Sequence, residues 1–389
     1  VITLVNDFEI LAYTRENGKV GVRNHVAIIA IDSLAIPPAK AISNMVSNTV
    51  VIPCPYGRLQ FGEDLNLTFK TLIGVGKNPN IAKALVIGIE PVWAKKVADG
   101  IAESEKEVKV LSLVKNGFFE VVRQGARIVR DMVIKASQLK REPHNLSELT
   151  ISIKCGASDT TSGIASNPAV GYAVDYLVDI GATVLFGETT ELAGAEHFIA
   201  KRFKDRRERK KFLNTFNEYI EFAKSQGVDI IGSQPTQENI AGGLSTIEEK
   251  ALGNIQKTGK RQIEGVLKPC EEPKGKGLWF MSTSSSAQEC VTLFSASGAQ
   301  IHIFSTGQGN PVGNPIEPVI KVTGNPETAK AMSEHIDVDV SGIITSELSI
   351  GEAGKMVINE LVKVANGKLT SAEVLRYEDF AITKLHRSM

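Results

Sequence analysis

Between residues 25 and 139 short apolar runs and helical stretches take turns along the chain. Apolar runs cover 25–31, 50–53, 84–89 and 108–114, and each is followed by a stretch with helical spacing, at 38–47, 63–75, 92–103 and 118–139. Short apolar runs of this kind fit strands buried on both faces. Strands that alternate with helices return in the same direction, which predicts a parallel sheet covered by helices on both sides. The expected architecture is α/β: an N-terminal segment 1–24, a Rossmann-like parallel-sheet domain over 25–147, and a second α/β domain over 148–389. Pro143-His144-Asn145 reads as the linker between them. In the second part, strands are expected at 149–154, 183–186, 277–281, 300–304 and 319–322. Helices are expected at 169–180, over a long stretch 195–226, and at 350–366, where Gly367 stands as a C-terminal cap.

Charge excludes several classes of function. Lys plus Arg number 44 and Asp plus Glu 44, a net charge of +0, so there is no global steering toward nucleic acid or an anionic membrane. No apolar run approaches a membrane span. The start of the chain carries Asp7 and Glu9 where a signal peptide would be basic and then apolar. A soluble, cytoplasmic protein is expected. Cys54, Cys155, Cys270 and Cys290 form no CxxC pair, which speaks against a disulfide framework or a four-cysteine zinc site. Residues 74–77 lack the rest of a phosphate loop. Gly307, Gly309 and Gly313 miss the dinucleotide spacing, with Pro311 inside it. The basic run 201–211 is broken by Asp205 and Glu208 and reads as a solvated helix face.

Five stretches carry candidate chemistry. Residues 153–168 (IKCGASDTTSGIASNP) crowd glycines, hydroxyls, Cys155 and Asp159 between a strand and a helix, where backbone can approach a small polyhydroxylated anion. Residues 187–197 (GETTELAGAEH) place Glu188, Glu191, Glu196 and His197 within one turn-and-helix start. Acids at a helix N-terminus suit the dipole, and the full cluster also suits a hard metal bound through oxygen, with His197 as a nitrogen ligand. Residues 239–253 (NIAGGLSTIEEKALG) begin with Asn239 and the pair Gly242-Gly243, whose amides could cradle a carboxylate. There Ser245 and Glu248 have capping-box spacing, and Lys250 follows within the helix. Residues 297–311 carry SGAQ and FSTGQGNP, with Thr306 in the second part. Residues 13–24 (YTRENGKVGVRN) end on Arg23, which reads equally as a bidentate anion anchor and as a turn cap.

Taken together, these stretches resemble the altronate/galactarate dehydratase family, to which the sulfolactate sulfo-lyase large subunit is related. The shared patterns are KCGGSD…SG…NPA, ET.E..GAE, N..GGLTTIEEK…G, AAGAQ…FTTGRG…G and Y.R.(D/N)G..G.RN. Gln308 stands where arginine is usual, and Ser282-Thr283-Ser284 where an aspartate is usual. The resemblance implies a metal-dependent hydro-lyase that converts an altronate- or galactarate-like sugar acid to a 2-keto-3-deoxy acid. It implies a divalent metal, iron(II) or else manganese(II), held by Cys155, Glu188, Glu191 and Glu196. Substrate would be bound by Arg23, Ser158, Asp159, Ser162, Asn167, Asn239, Gly242, Gly243 and Thr306. Lys250 or His197 would serve as the general base. Sulfite elimination by a sulfo-lyase large subunit and a non-catalytic ligand-binding relative are the alternatives. The short lead before Tyr13 leads us to expect a separate small subunit of the SAF type. A homo-oligomer is compatible with this picture.

Overall fold

A computed structural model describes residues 9–57, 59–230 and 234–389; the acidic start at Asp7 lies outside the described residues. Its strands, in chain order, are β1 (Glu9–Thr14), β2 (Val20–Gly21), β3 (His25–Ala30), β4 (Thr49–Pro53), β5 (Ile81–Gly88), β6 (Val108–Ser112), β7 (Glu142–Asn145), β8 (Thr150–Gly156), β9 (Thr183–Phe186), β10 (Ile263–Leu267), β11 (Gly277–Met281), β12 (Ile301–Thr306), β13 (Val319–Thr323) and β14 (Val338–Asp339). They form a parallel sheet in the order β4-β3-β5-β6, a parallel sheet in the order β10-β11-β9-β8-β12-β13-β14, and a small antiparallel sheet β2-β1-β7. The expected α/β architecture is present. No helix among the described residues is long and apolar enough to cross a membrane.

The two faces of the long sheet differ. Ile151, Ile153, Ile301, Ile303, Ile320 and Val322 pack in one apolar core with Val170, Val174 and Leu177 of helix Asn167–Asp179 and Val357 and Leu361 of helix Ile350–Ala365. The alternate residues Ser152, Lys154, His302, Phe304 and Lys321 point the other way and are buried as well. There Lys154 and Lys321 each lie 5.4 Å from the Phe304 ring centroid.

Asparagines join the two parallel sheets. Asn78 Nδ2 donates to the carbonyls of Ser295 and Ala299, and Asn80 Nδ2 to those of Gln300 and Ile316. The end of the chain returns to the first sheet, which a boundary at 148 does not anticipate. Ile382 enters the core of the first sheet, and the Leu385 and His386 amides donate to Asp64 at 2.7 Å.

Three expectations change. Residues 143–145 are a strand rather than a linker, pairing with β1 at the edge of the small sheet, where proline costs no ladder bond. The helical stretch 195–226 is two helices, Glu196–Lys201 and Arg206–Ser225. Phe203 between them bridges to Ile263, and the Asp205 side chain caps the second helix at the Arg207 amide. Arg23 is not an anion anchor. Its Nε and Nη2 hold Glu373 at 2.6 and 2.8 Å, and its remaining donors go to the carbonyls of Val22, Val364 and Lys368. A guanidinium has five N–H donors, so none is left for a substrate.

Candidate active site

All strands of the long sheet are parallel, so the loops after β8, β9, β11 and β12 gather on one edge. The chain runs from β8 outward to β9 on one side, and later to β12 on the other. Open α/β sheets bind ligands at such a switch point, outside the carboxyl ends of the strands. Two residues there hold a left-handed backbone without being glycine: Ala157 after β8 with φ 50°, and Glu188 after β9 with φ 63°. Such strain persists where surrounding contacts over-determine it, and it concentrates at functional sites. The turn Ser162–Ser166 that follows is π-helical before it continues into helix Asn167–Asp179.

A buried charge cluster fixes this edge. The Glu188 carboxylate lies 2.8 Å from Lys154 Nζ and 2.9 Å from Lys257 Nζ, and it accepts the Cys155 amide at 3.2 Å. Burial would raise the Glu188 pKa, but the two ammonium groups outweigh it and hold the carboxyl at about 2. Both lysines are in turn held above their ordinary range: burial would lower them, but Glu188 reverses the sign at Lys154, and Cys155 together with Glu188 reverses it at Lys257. With Glu188 ionised the cluster carries one net positive charge. Cys155 Sγ sits 2.9 Å from Asn254 Oδ1 and 3.6 Å from Lys257 Nζ. Burial raises its thiol pKa more than Lys257 lowers it.

Lys250, Asn254 and Lys257 enter from one side because they stand at i, i+4 and i+7, one face of helix Ile247–Ile255 and the turn after it. That helix is capped by Thr246, whose side chain accepts the Glu249 amide, while Ser245 bonds the Glu249 carboxylate. The cap therefore falls one residue later than the Ser245–Glu248 spacing suggests. Gly253 lets the helix press against the π-turn: a Cβ on Gly163 would lie 3.1 Å from Gly253 Cα.

Between helix and π-turn lies a cavity of about 250 Å³, lined among others by Ser158, Asp159, Ser162, Asn167, Lys250 and Asn254. Lys250 Nζ meets Glu191 at 2.9 Å and donates to Gln234 Oε1. Asn167 Nδ2 donates to the Gly253 carbonyl at 2.9 Å, and its buried Oδ1 has no partner among the described residues. Lys154, Lys257 and Asn254 were not among the expected site residues; the helical spacing of 250, 254 and 257 was the available signal.

Several expected residues are engaged in holding the site together. Asp159 Oδ1 accepts from Thr161 Oγ1, Ser162 N and Ser162 Oγ, and its Oδ2 from Asn325 Nδ2, at 2.6–3.2 Å. Asn239 ties down the Ser158 carbonyl at 2.8 Å and closes a capping box with Thr236. Thr306 Oγ1 accepts the Gly309 amide. The Gly242 and Gly243 amides donate to the carbonyls of Glu238 and Ile240, so they do not form the expected carboxylate cradle. Gly242 is glycine because a Cβ would lie 2.7 Å from Asp159 Cβ.

His197 is not positioned as a base. Its side chain is 53% exposed, its ring tilted against Phe198 with centroids 4.2 Å apart, and it does not line the cavity. The four expected metal ligands do not converge either. Glu188 is taken by two lysines and Glu191 by a third, and Glu196 turns back to the Gly194 amide at 2.9 Å. Among the described residues, no three His, Cys, Asp or Glu side chains come together in a way that could hold an ion. As placed, these side chains do not fit a divalent metal.

Comparison with known proteins completes the description. Residues 146–388 match the family described as D-galactarate/altronate dehydratase, C-terminal, and residues 12–137 match D-galactarate dehydratase/altronate hydrolase, second domain. The chain is 50% identical over 380 residues to the (2R)-sulfolactate sulfo-lyase subunit beta of Chromohalobacter salexigens, covering 97% of this chain and 98% of that one. It is 34% identical over 309 residues to the galactarate dehydratase (L-threo-forming) of Escherichia coli, covering 77% of this chain and 59% of the relative. The altronate dehydratase of Bacillus subtilis is 29% identical over 388 residues, 96% of this chain and 77% of the relative.

Proposed function

The chain belongs to the D-galactarate/altronate dehydratase family, and we propose that within it the protein is a lyase that eliminates sulfite from a three-carbon sulfonated 2-hydroxy acid such as (2R)-sulfolactate. The observation that carries this reading is the 50% identity to the sulfo-lyase subunit over nearly the whole of both chains. The cavity agrees with it. About 250 Å³ lies below the usual range for drug-sized ligands, roughly 300–1,000 Å³, and suits a small dianion. A second reading, loss of water from an altronate- or galactarate-like sugar acid, draws on the family as a whole.

Both readings share one chemistry. The proton on C2, beside the carboxylate, is removed; its electrons form the C2–C3 double bond; the C3–leaving-group bond breaks and its pair departs with sulfite or hydroxide. The enol then becomes the 2-oxo acid. Lys250 is our candidate for the proton transfer, because among the described residues it is the lysine that lines the cavity, where Glu191 and Gln234 fix the position of its Nζ. Asn167 and Ser158, which line the cavity, would bind the substrate hydroxyl, and the net positive Lys154–Glu188–Lys257 cluster behind Asn254 would favour an anion there. We further propose that a separate small subunit completes the enzyme, since the 50% identical relative is named a subunit beta.

The test is product analysis with sulfolactate, altronate and galactarate, each with and without the small subunit of a sulfo-lyase. Pyruvate and sulfite in equal amounts are expected from sulfolactate alone. A 2-keto-3-deoxy acid from either sugar acid, with sulfolactate inert, would replace the first reading by the second.

A further inference from the structure

The carboxyl edge of the first sheet is unlike that of the second. After β3 stands Leu34; after β4, Leu59 and Phe61; after β5, Val92; after β6, Phe118 and Phe119. All are exposed, Val92 at 73% and Phe119 at 87%. Because β4, β3, β5 and β6 are parallel neighbours, these side chains emerge on a single edge, one loop beside the next. Scattered exposed apolar residues are ordinary. Large apolar side chains on every loop of one edge form a patch of the kind that marks an interaction site, and aromatics are enriched at the centre of interfaces.

We propose that this edge docks the small subunit, an inference that rests on the two-subunit reading above. The patch lies on residues 12–137, the part matched by a family model described as a second domain; a domain that comes first in those relatives has its neighbour here. The matched region covers 59% and 77% of two dehydratase relatives, while a relative covered to 98% is named a subunit. The edge also adjoins the chemistry. Tyr56 donates to the Ile382 carbonyl, and the Met389 amide to the Leu59 carbonyl, so the end of the chain runs from this edge along a second cavity. That cavity, about 660 Å³, is lined by Glu63, Thr283, Glu289 and Lys384, and Thr283 Oγ1 accepts the Glu188 amide at 2.8 Å. A subunit seated on the first edge is therefore near this second cavity, whose Thr283 holds Glu188.

The experiment mixes the full chain with the partner subunit of the Chromohalobacter salexigens sulfo-lyase and follows binding and hydrogen exchange. The expected result is protection around Leu34, Phe61, Val92 and Phe119, and binding about tenfold or more weaker in a V92D/F119D double variant whose melting is unchanged. A complex protected elsewhere, and indifferent to the double variant, would overturn the docking face while leaving the two-subunit reading standing. No complex, under conditions where the probe binds its own large subunit, would overturn both. Protection of the same loops by self-association of this chain alone would assign the edge to a second copy instead.

Discussion

The two parallel sheets present the same kind of edge and use it in opposite ways. At the carboxyl ends of β3–β6 the loops expose Leu34, Phe61, Val92 and Phe119 to solvent. At the carboxyl ends of β8 and β9 charge is turned inward: Lys154 on β8 and Glu188 after β9 are buried together with Lys257 from the turn after helix Ile247–Ile255. The difference teaches that topology supplies the position and side chains decide its use. Buried charge beside a cavity suits an edge to chemistry; exposed apolar side chains suit one to contact.

The comparison can be broken most severely at Glu188. E188Q removes the carboxylate that two buried ammonium groups share, and leaving a buried charge unpaired costs about 3–5 kcal/mol. Urea unfolding should show that loss, together with lost activity; a variant as stable as the wild type would deny the cluster its structural role. Because the Glu188 pKa is depressed to about 2, its contribution is present above the ordinary carboxylate range near pH 4.5. It is lost as pH falls from there through about 2.

Next in size is K250M, expected to lower kcat by about 10²–10⁴-fold with stability reduced far less than in E188Q. Unchanged kcat would remove Lys250 from the reaction.

Glu317 sharpens the contrast within the second sheet. Burial raises its carboxyl to about 8, only partly offset by hydrogen bonds from Ser152 and Ser295. A raised acid stabilises the fold below its unfolded pKa, near 4.5, and that contribution is lost as pH rises through about 8. Unfolding free energies at pH 5 and pH 8 should fall with rising pH in the wild type more than in E317Q; identical slopes would contradict the buried neutral carboxyl. A smaller effect concerns Glu191. Metal analysis should find the same content in E191Q as in the wild type, because Glu191 holds Lys250. Metal lost in step with activity would restore it as a ligand.

Much of this fold can be read from the chain because buried parallel strands advertise themselves. The runs at 25–31 and 84–89 are almost wholly apolar, those at 149–154 and 319–322 are rich in β-branched residues, and each falls on a strand. Strand β10 escapes notice because Gly265 interrupts it where Trp279 packs close, and β7 because proline reads as a linker. The site is less legible. A lysine in a sequence reads as solvated, so Lys154 and Lys257 draw attention only once Glu188 is found between them. Gly242 and Gly243 read as a ligand cradle, yet their amides are bonded within the chain and Gly242 makes room for Asp159. Arg23 shows that a motif can be present and its side chain spent on the fold, here on Glu373. Spacing reveals which residues share a face, but not which donors are already satisfied.

The division of labour between the two edges is tested most directly by measuring lyase turnover of the complex while the small subunit is titrated against K250M and V92D/F119D. The account predicts that K250M binds the subunit normally and stays inactive at every concentration. It predicts that V92D/F119D is inactive at low subunit concentration and regains wild-type turnover at saturation. Normal turnover in K250M, or a V92D/F119D complex that forms as tightly as wild type, would contradict it.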